Sequence, residues 1–217
     1  ACMDNSALFE TALTRGERRL VSGLASPAQI QQFLDSIPYS ADAFYRCPLR
    51  VLRDRTAHCF DGAVFAAAAL RRIGHPPLIL DLLSNGRDDE HLLALFKVGG
   101  RWGAVAKSNF VGLRFREAVY RSLRELAMSY FEQYYNTARE KTLRGYAGPL
   151  NLKRFDGLNW MVRDEIMEVI AERTDHIRRV NLIDAEMAAR LSSVDERSHR
   201  AGLIGSGPKC LFKIEAE

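Results

Sequence analysis

TAHCFDGAVFAAAALRRIGHPP, residues 56–77, reads as a helix with a legible start, a legible end and almost no polar face between them. Residues 63–70 combine high helix propensity with an apolar surface nearly all the way round, the pattern of a buried helix. Arg71 and Arg72 complement the negative end of the helix dipole, Gly74 suits a left-handed C′ position, and Pro76-Pro77 bars continuation. The helix is therefore expected over residues 56–73. Three strands are expected directly after it, over residues 78–83, 91–98 and 101–106. A polar loop over residues 84–89 joins the first two, and Gly99-Gly100 is a hairpin signal between the second and third. A buried helix followed by a meander of strands predicts an α+β fold with a central helix packed on an antiparallel sheet.

Upstream, residues 6–22 carry a moderate helical pattern. Ser26-Pro27 is a helix start, and Ile30, Phe33, Leu34 and Ile37 fall on one face of a short helix to about residue 36, stopped by Pro38. Residues 46–55 read as a turn-rich connector with room for one helical turn. Downstream of about Gly112 the texture changes. Residues 115–142 read as a long amphipathic helix bearing Tyr120, Tyr130, Phe131, Tyr134 and Tyr135, whose plainest role is core packing. A glycine- and proline-bearing loop covers 144–156, and further helices are expected over 159–173 and 184–191. The layout expected is a core over residues 1–112 and a C-terminal helical extension over 113–217, packed together as one compact domain.

Composition narrows the function classes. The 217 residues are 47% hydrophobic and 27% charged, values of an ordinary globular chain long enough to bury a core without disulfides or metals. The formal charge of +4 invites a nucleic-acid reading, but residues 1–110 hold 13 basic and 11 acidic side chains and residues 111–217 hold 18 and 16. Each half is +2, with no basic block to track a phosphate backbone, so a nucleic-acid partner is not expected. No apolar stretch approaches the ~20 residues of a membrane span, and no charged start followed by an apolar run opens the chain. Cys2, Cys47, Cys59 and Cys210 are widely spaced and include no CxxC pair, so a reducing, cytoplasmic setting is expected and zinc is not. Nothing in the sequence sets an oligomeric state.

One cysteine has a mechanism attached to its place. Cys59 falls in the first turn of the buried helix, where free N–H groups and the positive dipole end stabilise a thiolate and can hold an oxyanion. On residue type alone, Cys59 reads equally well as a small core residue. His91 opens the second strand, 32 residues on, directly after Asp88-Asp89-Glu90. A strand starting beside a helix N-terminus can bring an imidazole to the thiol, and the acidic run is expected to favour the imidazolium. By position alone, His91 also reads as a surface histidine at a loop–strand junction. His58, adjacent to the cysteine, reads as a cap or surface residue.

Taken in order, these residues resemble the transglutaminase-like superfamily of papain-type cysteine enzymes, in its bacterial branch. The resemblance covers about residues 30–110. It runs through Phe33-Leu34-Asp35-Ser36-Ile37-Pro38-Tyr39, then Cys59 with Asp61 and Ala63 behind it, then Leu70-Arg71-Arg72-Ile73-Gly74-His75-Pro76, His91 and Trp102. There are two departures. The family's glycine two residues before the cysteine is Ala57, and its aspartate four residues after the strand tryptophan is Ala106. The residue orienting His91 is therefore Asn109, the candidate taken with Cys59 and His91, or Ser108, or neither. The resemblance implies a cysteine-proteinase-like fold and acyl chemistry through a thioester on Cys59, with His91 as base. A peptide or amide is the implied substrate, water or an amine the acceptor, and no cofactor or metal is needed. Backbone N–H groups at the helix start would hold the oxyanion, and Tyr39 or Tyr45 could add a hydroxyl. The loss of the aspartate equally suits a degenerate scaffold kept as a binding module.

Overall fold

The structure is a computed structural model and describes residues 5–207 and 210–213; Cys2 lies outside them. In chain order the elements begin with α1 (Asn5–Ala12), α2 (Arg15–Ser22), α3 (Pro27–Ser36), α4 (Pro48–Asp54) and α5 (Cys59–Arg72). They continue with β1 (Leu78–Leu83), β2 (His91–Val98), β3 (Arg101–Val105), β4 (Arg116–Tyr120), α6 (Leu123–Met128) and β5 (Gly145–Asn151). The last are α7 (Glu165–Asp175), β6 (Arg179–Asn181), α8 (Ala185–Ala189) and α9 (Glu196–Gly202). The strands form a single antiparallel six-stranded sheet in the order β4-β3-β2-β1-β5-β6. Among the described residues, no helix is long and apolar enough to cross a membrane.

Both faces of the sheet are covered, which explains why β1 and β2 read as near-continuous apolar runs. One face carries Ile79, Leu92, Ala94, Phe96 and Val105 against α5 and its neighbours. The other carries Leu80, Leu82, Leu93, Leu95, Ala104 and Ala106 against Leu126, Tyr130 and Tyr134. The alanine run of α5 is buried throughout, so the helix lies close over β2. At Gly62 the helix also meets the chain just beyond β3, where an added Cβ would stand 2.3 Å from the Cβ of Lys107. Lys107 is itself buried, and its ammonium reaches the carbonyls of Leu34 at 2.7 Å and Ile37 at 2.5 Å, at the C-terminal end of α3. A cation at that end of a helix meets carbonyls left without intrahelical partners.

The three expected strands and the Gly99-Gly100 hairpin form as the sequence predicts, with both glycines at positive φ. The central helix begins at Cys59 rather than residue 56, because Ala57 is drawn into a bridge with Tyr39 and His58 becomes the N-cap. The pattern over 6–22 is broken into α1 and α2 at Thr14, which caps α2 in a box with Glu17.

The larger correction concerns residues 113–217, expected to be a helical extension. They supply β4, β5 and β6 to the same sheet as β1–β3, so residues on both sides of 112 share one layer. Residues 115–142 are not one helix but β4, α6 and a 3₁₀ turn at Phe131–Gln133. The exposed edge of β3 takes the period-two segment Arg116–Tyr120 as its partner, and Arg116 lies over the Tyr130 ring, 3.9 Å from its centroid. Residues 145–151 read as a loop because of their glycines and proline, yet they pair with β1. Gly145 leaves room for the Val180 carbonyl, and Gly148 takes φ 115° in the segment where the pairing register shifts. Residues 159–164 precede α7 instead of opening it. The aromatics Tyr130, Phe131, Tyr134 and Tyr135 are buried, as core packing requires.

The Gly62 contact sets a test. Gly62→Ala gains about 1 kcal/mol of helix propensity, but overpacking costs about 1–3 kcal/mol where neighbours cannot shift. Urea denaturation should show a net loss for Gly62→Ala. Gly16→Ala in α2, where nothing lies within 4 Å of the new methyl, should be neutral or stabilising. Equal effects at the two positions would mean that helix and sheet do not meet as described.

Candidate active site

The N-terminus of α5 is fixed from outside the helix. His58 accepts the Phe60 N–H at 3.2 Å through Nδ1, and the Asp61 carboxylate reaches back to the His58 N–H at 3.4 Å. Asp61 also accepts the backbone N–H of Arg46 at 2.8 Å. The buried Arg46 guanidinium is paired with Asp42 and with Asp54, at 3.0 Å from the latter. His58 is therefore a helix cap, its pKa pushed down to about 4 by burial first and by the charge of Arg46 second.

Cys59 is half-buried in the first turn. Its N–H donates to the Tyr39 hydroxyl oxygen at 3.3 Å, and its thiol donates to the Glu90 carbonyl at 3.8 Å. The expected stabilised thiolate is overturned. Burial pushes the thiol up to about 12; the Tyr39 hydrogen bond works the other way, and the charges of Asp89 and Asp81 add to the rise. Desolvation disfavours the charged form of the thiol.

His91 is the first residue of β2 and 5% exposed. Its ring packs edge-on to Tyr134, and its Nε2 donates to the Leu113 carbonyl at 2.7 Å. That contact fixes the tautomer with the proton on Nε2 and leaves Nδ1 as the acceptor. The expected imidazolium is overturned as well: burial holds the ring down at about 4, against the pull of the Leu113 carbonyl. Cys59 and His91 border one small cavity of about 40 Å³, shared with Asn109 and Tyr134. The thiol's hydrogen-bond partner is the Glu90 carbonyl, not the ring.

Neither candidate side chain for orienting His91 holds it. The Asn109 amide donates to the Cys210 carbonyl, and the Ser108 hydroxyl accepts the Phe110 N–H at 3.0 Å. The reason lies in the end of β3. Ala106 is clamped by Gln31, whose amide exchanges bonds of 2.9 and 3.0 Å with the Ala106 backbone, and Lys107 is drawn to α3. The chain then leaves the sheet, and a 3₁₀ turn at Val111–Leu113 brings the Leu113 carbonyl to the ring. No side-chain pattern could have announced this acceptor, because it is backbone.

On the other side of the thiol lies a cleft of about 520 Å³, bordered by Tyr39, Tyr45, His58, Asp81 and Glu90, with Thr174 and Asp175 of α7 on its far side. Asp81 was not among the expected site residues, although a lone acid inside the strand LILDLL is a visible signal in the sequence. Cys210 and Phe212 border both spaces. Among the described residues, no group of three or more His, Cys, Asp or Glu side chains is placed to hold a metal ion.

No protein-family model matches the chain, and no curated protein matches it. Among solved structures, the chain is similar to Legionella pneumophila LapG, at 12% identity over 76% of this chain and 95% of that one, with a TM-score of 0.41. The EGTA-treated form of LapG gives the same values. The calcium-bound form matches at 14% identity over 52% of this chain and 75% of that one, with a TM-score of 0.38.

Two measurements follow from the titration states. With its thiol near 12, Cys59 should react with iodoacetamide at a rate that climbs about tenfold per pH unit from 7 to 9 without a plateau, because only the thiolate attacks. A plateau below pH 8 would indicate a thiolate–imidazolium pair instead. His58 has a folded pKa of about 4 against 6.5 for a free imidazole, so the unfolded chain takes up this proton first. Its contribution to stability is present above pH 6.5 and is lost as the pH falls towards 4. His58→Asn keeps a helix cap and should lose less Tm than the parent between these pH values.

Proposed function

We propose that the chain has a transglutaminase-like arrangement and is a cysteine-dependent hydrolase of peptide or amide bonds, with Cys59 as nucleophile and His91 as base. The observation that carries this reading is the bond from His91 Nε2 to the Leu113 carbonyl at 2.7 Å beside the cavity that His91 shares with Cys59. It supplies the orienting acceptor that Ala106 lacks. It also leaves Nδ1 unprotonated, the state a general base needs.

At rest the pair is neutral, so the chemistry is general-base catalysis rather than attack by a preformed thiolate. Substrate binding brings ring and thiol into hydrogen-bond reach, a tightening common in sites that are loose when empty. The Cys59 sulfur bonds to the carbonyl carbon as its proton passes to His91 Nδ1. The developing oxyanion takes the Cys59 N–H and the Tyr39 hydroxyl, whose 3.3 Å contact with each other is long enough to yield to it. The C–N bond breaks, and His91 returns the proton to the leaving amine. Water, deprotonated by His91, then opens the thioester and restores the thiol. An amine in place of water would make the same intermediate an acyl donor.

The test uses p-nitrophenyl acetate and intact mass. One acetyl group should appear on the parent protein at Cys59 and be absent from Cys59→Ala. His91→Ala should slow its formation by about 10²-fold, the scale of lost general-base catalysis. The pH profile of acetylation should keep its activity down to about pH 4, where burial places the His91 ring, rather than fall away at 6.5. Acetylation of equal rate with and without the His91 ring would leave a scaffold without catalysis, the reading that the missing carboxylate at 106 favours.

A further inference from the structure

The chain carries a net charge of +4, yet the charged side chains bordering the 520 Å³ cleft are all acidic among the described residues. Asp42 is neutralised by Arg46. Asp81, Asp89, Glu90 and Asp175 form no ion pair with any described residue. An acidic rim alone would be an ordinary solvated surface, but Asp81 is different. It is 3% exposed, it sits in the middle of an apolar central strand, and its Oδ1 has no hydrogen-bond partner. A buried carboxyl oxygen without a partner is costly. A leucine there would continue the run of LILDLL at no such cost.

The backbone explains how the carboxyl reaches the cleft. Asp81 lies opposite Leu92 of β2, and the pairing of β1 with β5 shifts register between Ile79 and Asp81. Its side chain comes up beside Glu90, the residue whose carbonyl receives the Cys59 thiol. Burial first, and then the Glu90 carboxylate, hold the Asp81 carboxyl well above the usual range. The charge of Arg179 acts on Asp81 in the opposite sense, but Arg179 is exposed on β6 and outside the cleft lining.

We propose that Asp81 and Glu90 form a subsite for the basic side chain of a peptide substrate, arginine above all, beside the sulfur that attacks it. This rests on the cysteine-hydrolase reading for its consequence, though not for its test. A guanidinium presents a planar fork of donors suited to two adjacent carboxyls, supplies the partner that Asp81 Oδ1 lacks, and loses little of its weak hydration on entry. A bound cation would also offset the Asp89 charge that helps to hold the Cys59 thiol up.

The experiment measures binding to Cys59→Ala, in which no turnover can occur, by NMR titration with N-acetyl-arginine amide and with its neutral isostere N-acetyl-citrulline amide. Saturable binding of the arginine compound, at least tenfold tighter than the citrulline compound and reduced at least tenfold by Asp81→Asn, is the expected result. Glu90→Gln, placed on the loop before β2, serves as the second variant should Asp81→Asn fail to fold. Equal affinity for the two compounds, or arginine binding unchanged in every variant that folds, would overturn the subsite. Loss of acetylation at Cys59 with arginine binding intact would instead remove the hydrolase and leave the subsite standing.

Discussion

Between Gly62 and Lys107 there is no room for a methyl group, and the rest of the site depends on that contact. Lys107 cannot retreat readily, because its ammonium is fastened to two carbonyls at the end of α3. The helix that starts at Cys59 is thereby pinned against the end of β3, and α3 is pinned to both. Three consequences follow from this geometry. The thiol is set over the first residues of β2; β3 stops at Val105; and the chain beyond it must turn away, which carries Leu113 to the far side of His91.

A backbone carbonyl and a carboxylate make different partners for a histidine. Either acceptor fixes the ring and its tautomer, but only a carboxylate brings a charge that stabilises an imidazolium. With a carbonyl in that place and both partners desolvated, thiol and imidazole rest neutral. The acids around the thiol reinforce this state. Such a site responds to whatever relieves the acidic environment at Asp81 and Glu90. Cys210 and Phe212 border the same cleft, so this segment shares the space in which a substrate would lie.

The central helix was legible because its signals are local: an alanine run, a left-handed Gly74 and two prolines within 22 residues. The strands β1–β3 were legible for a similar reason, each an apolar run bounded by turn residues. β4 was not, because the aromatics after residue 119 imitate a helical stripe and only the open edge of β3 selects the strand. β5 was not, because Gly145, Gly148 and Pro149 are loop signals, and their use in a strand depends on Val180 and on the register shift opposite Asp81.

At the site the division runs along the same line. The sequence by itself determined that a cysteine would open a buried helix and a histidine the second strand, since both follow from propensity and spacing within short windows. Only the tertiary structure decided how the two are protonated and what holds the ring. Those depend on desolvation by segments far apart in the chain and on a carbonyl 22 residues beyond the histidine. A carbonyl has the same chemistry in every residue, so no side chain could mark it in advance; only the path of the folded chain could.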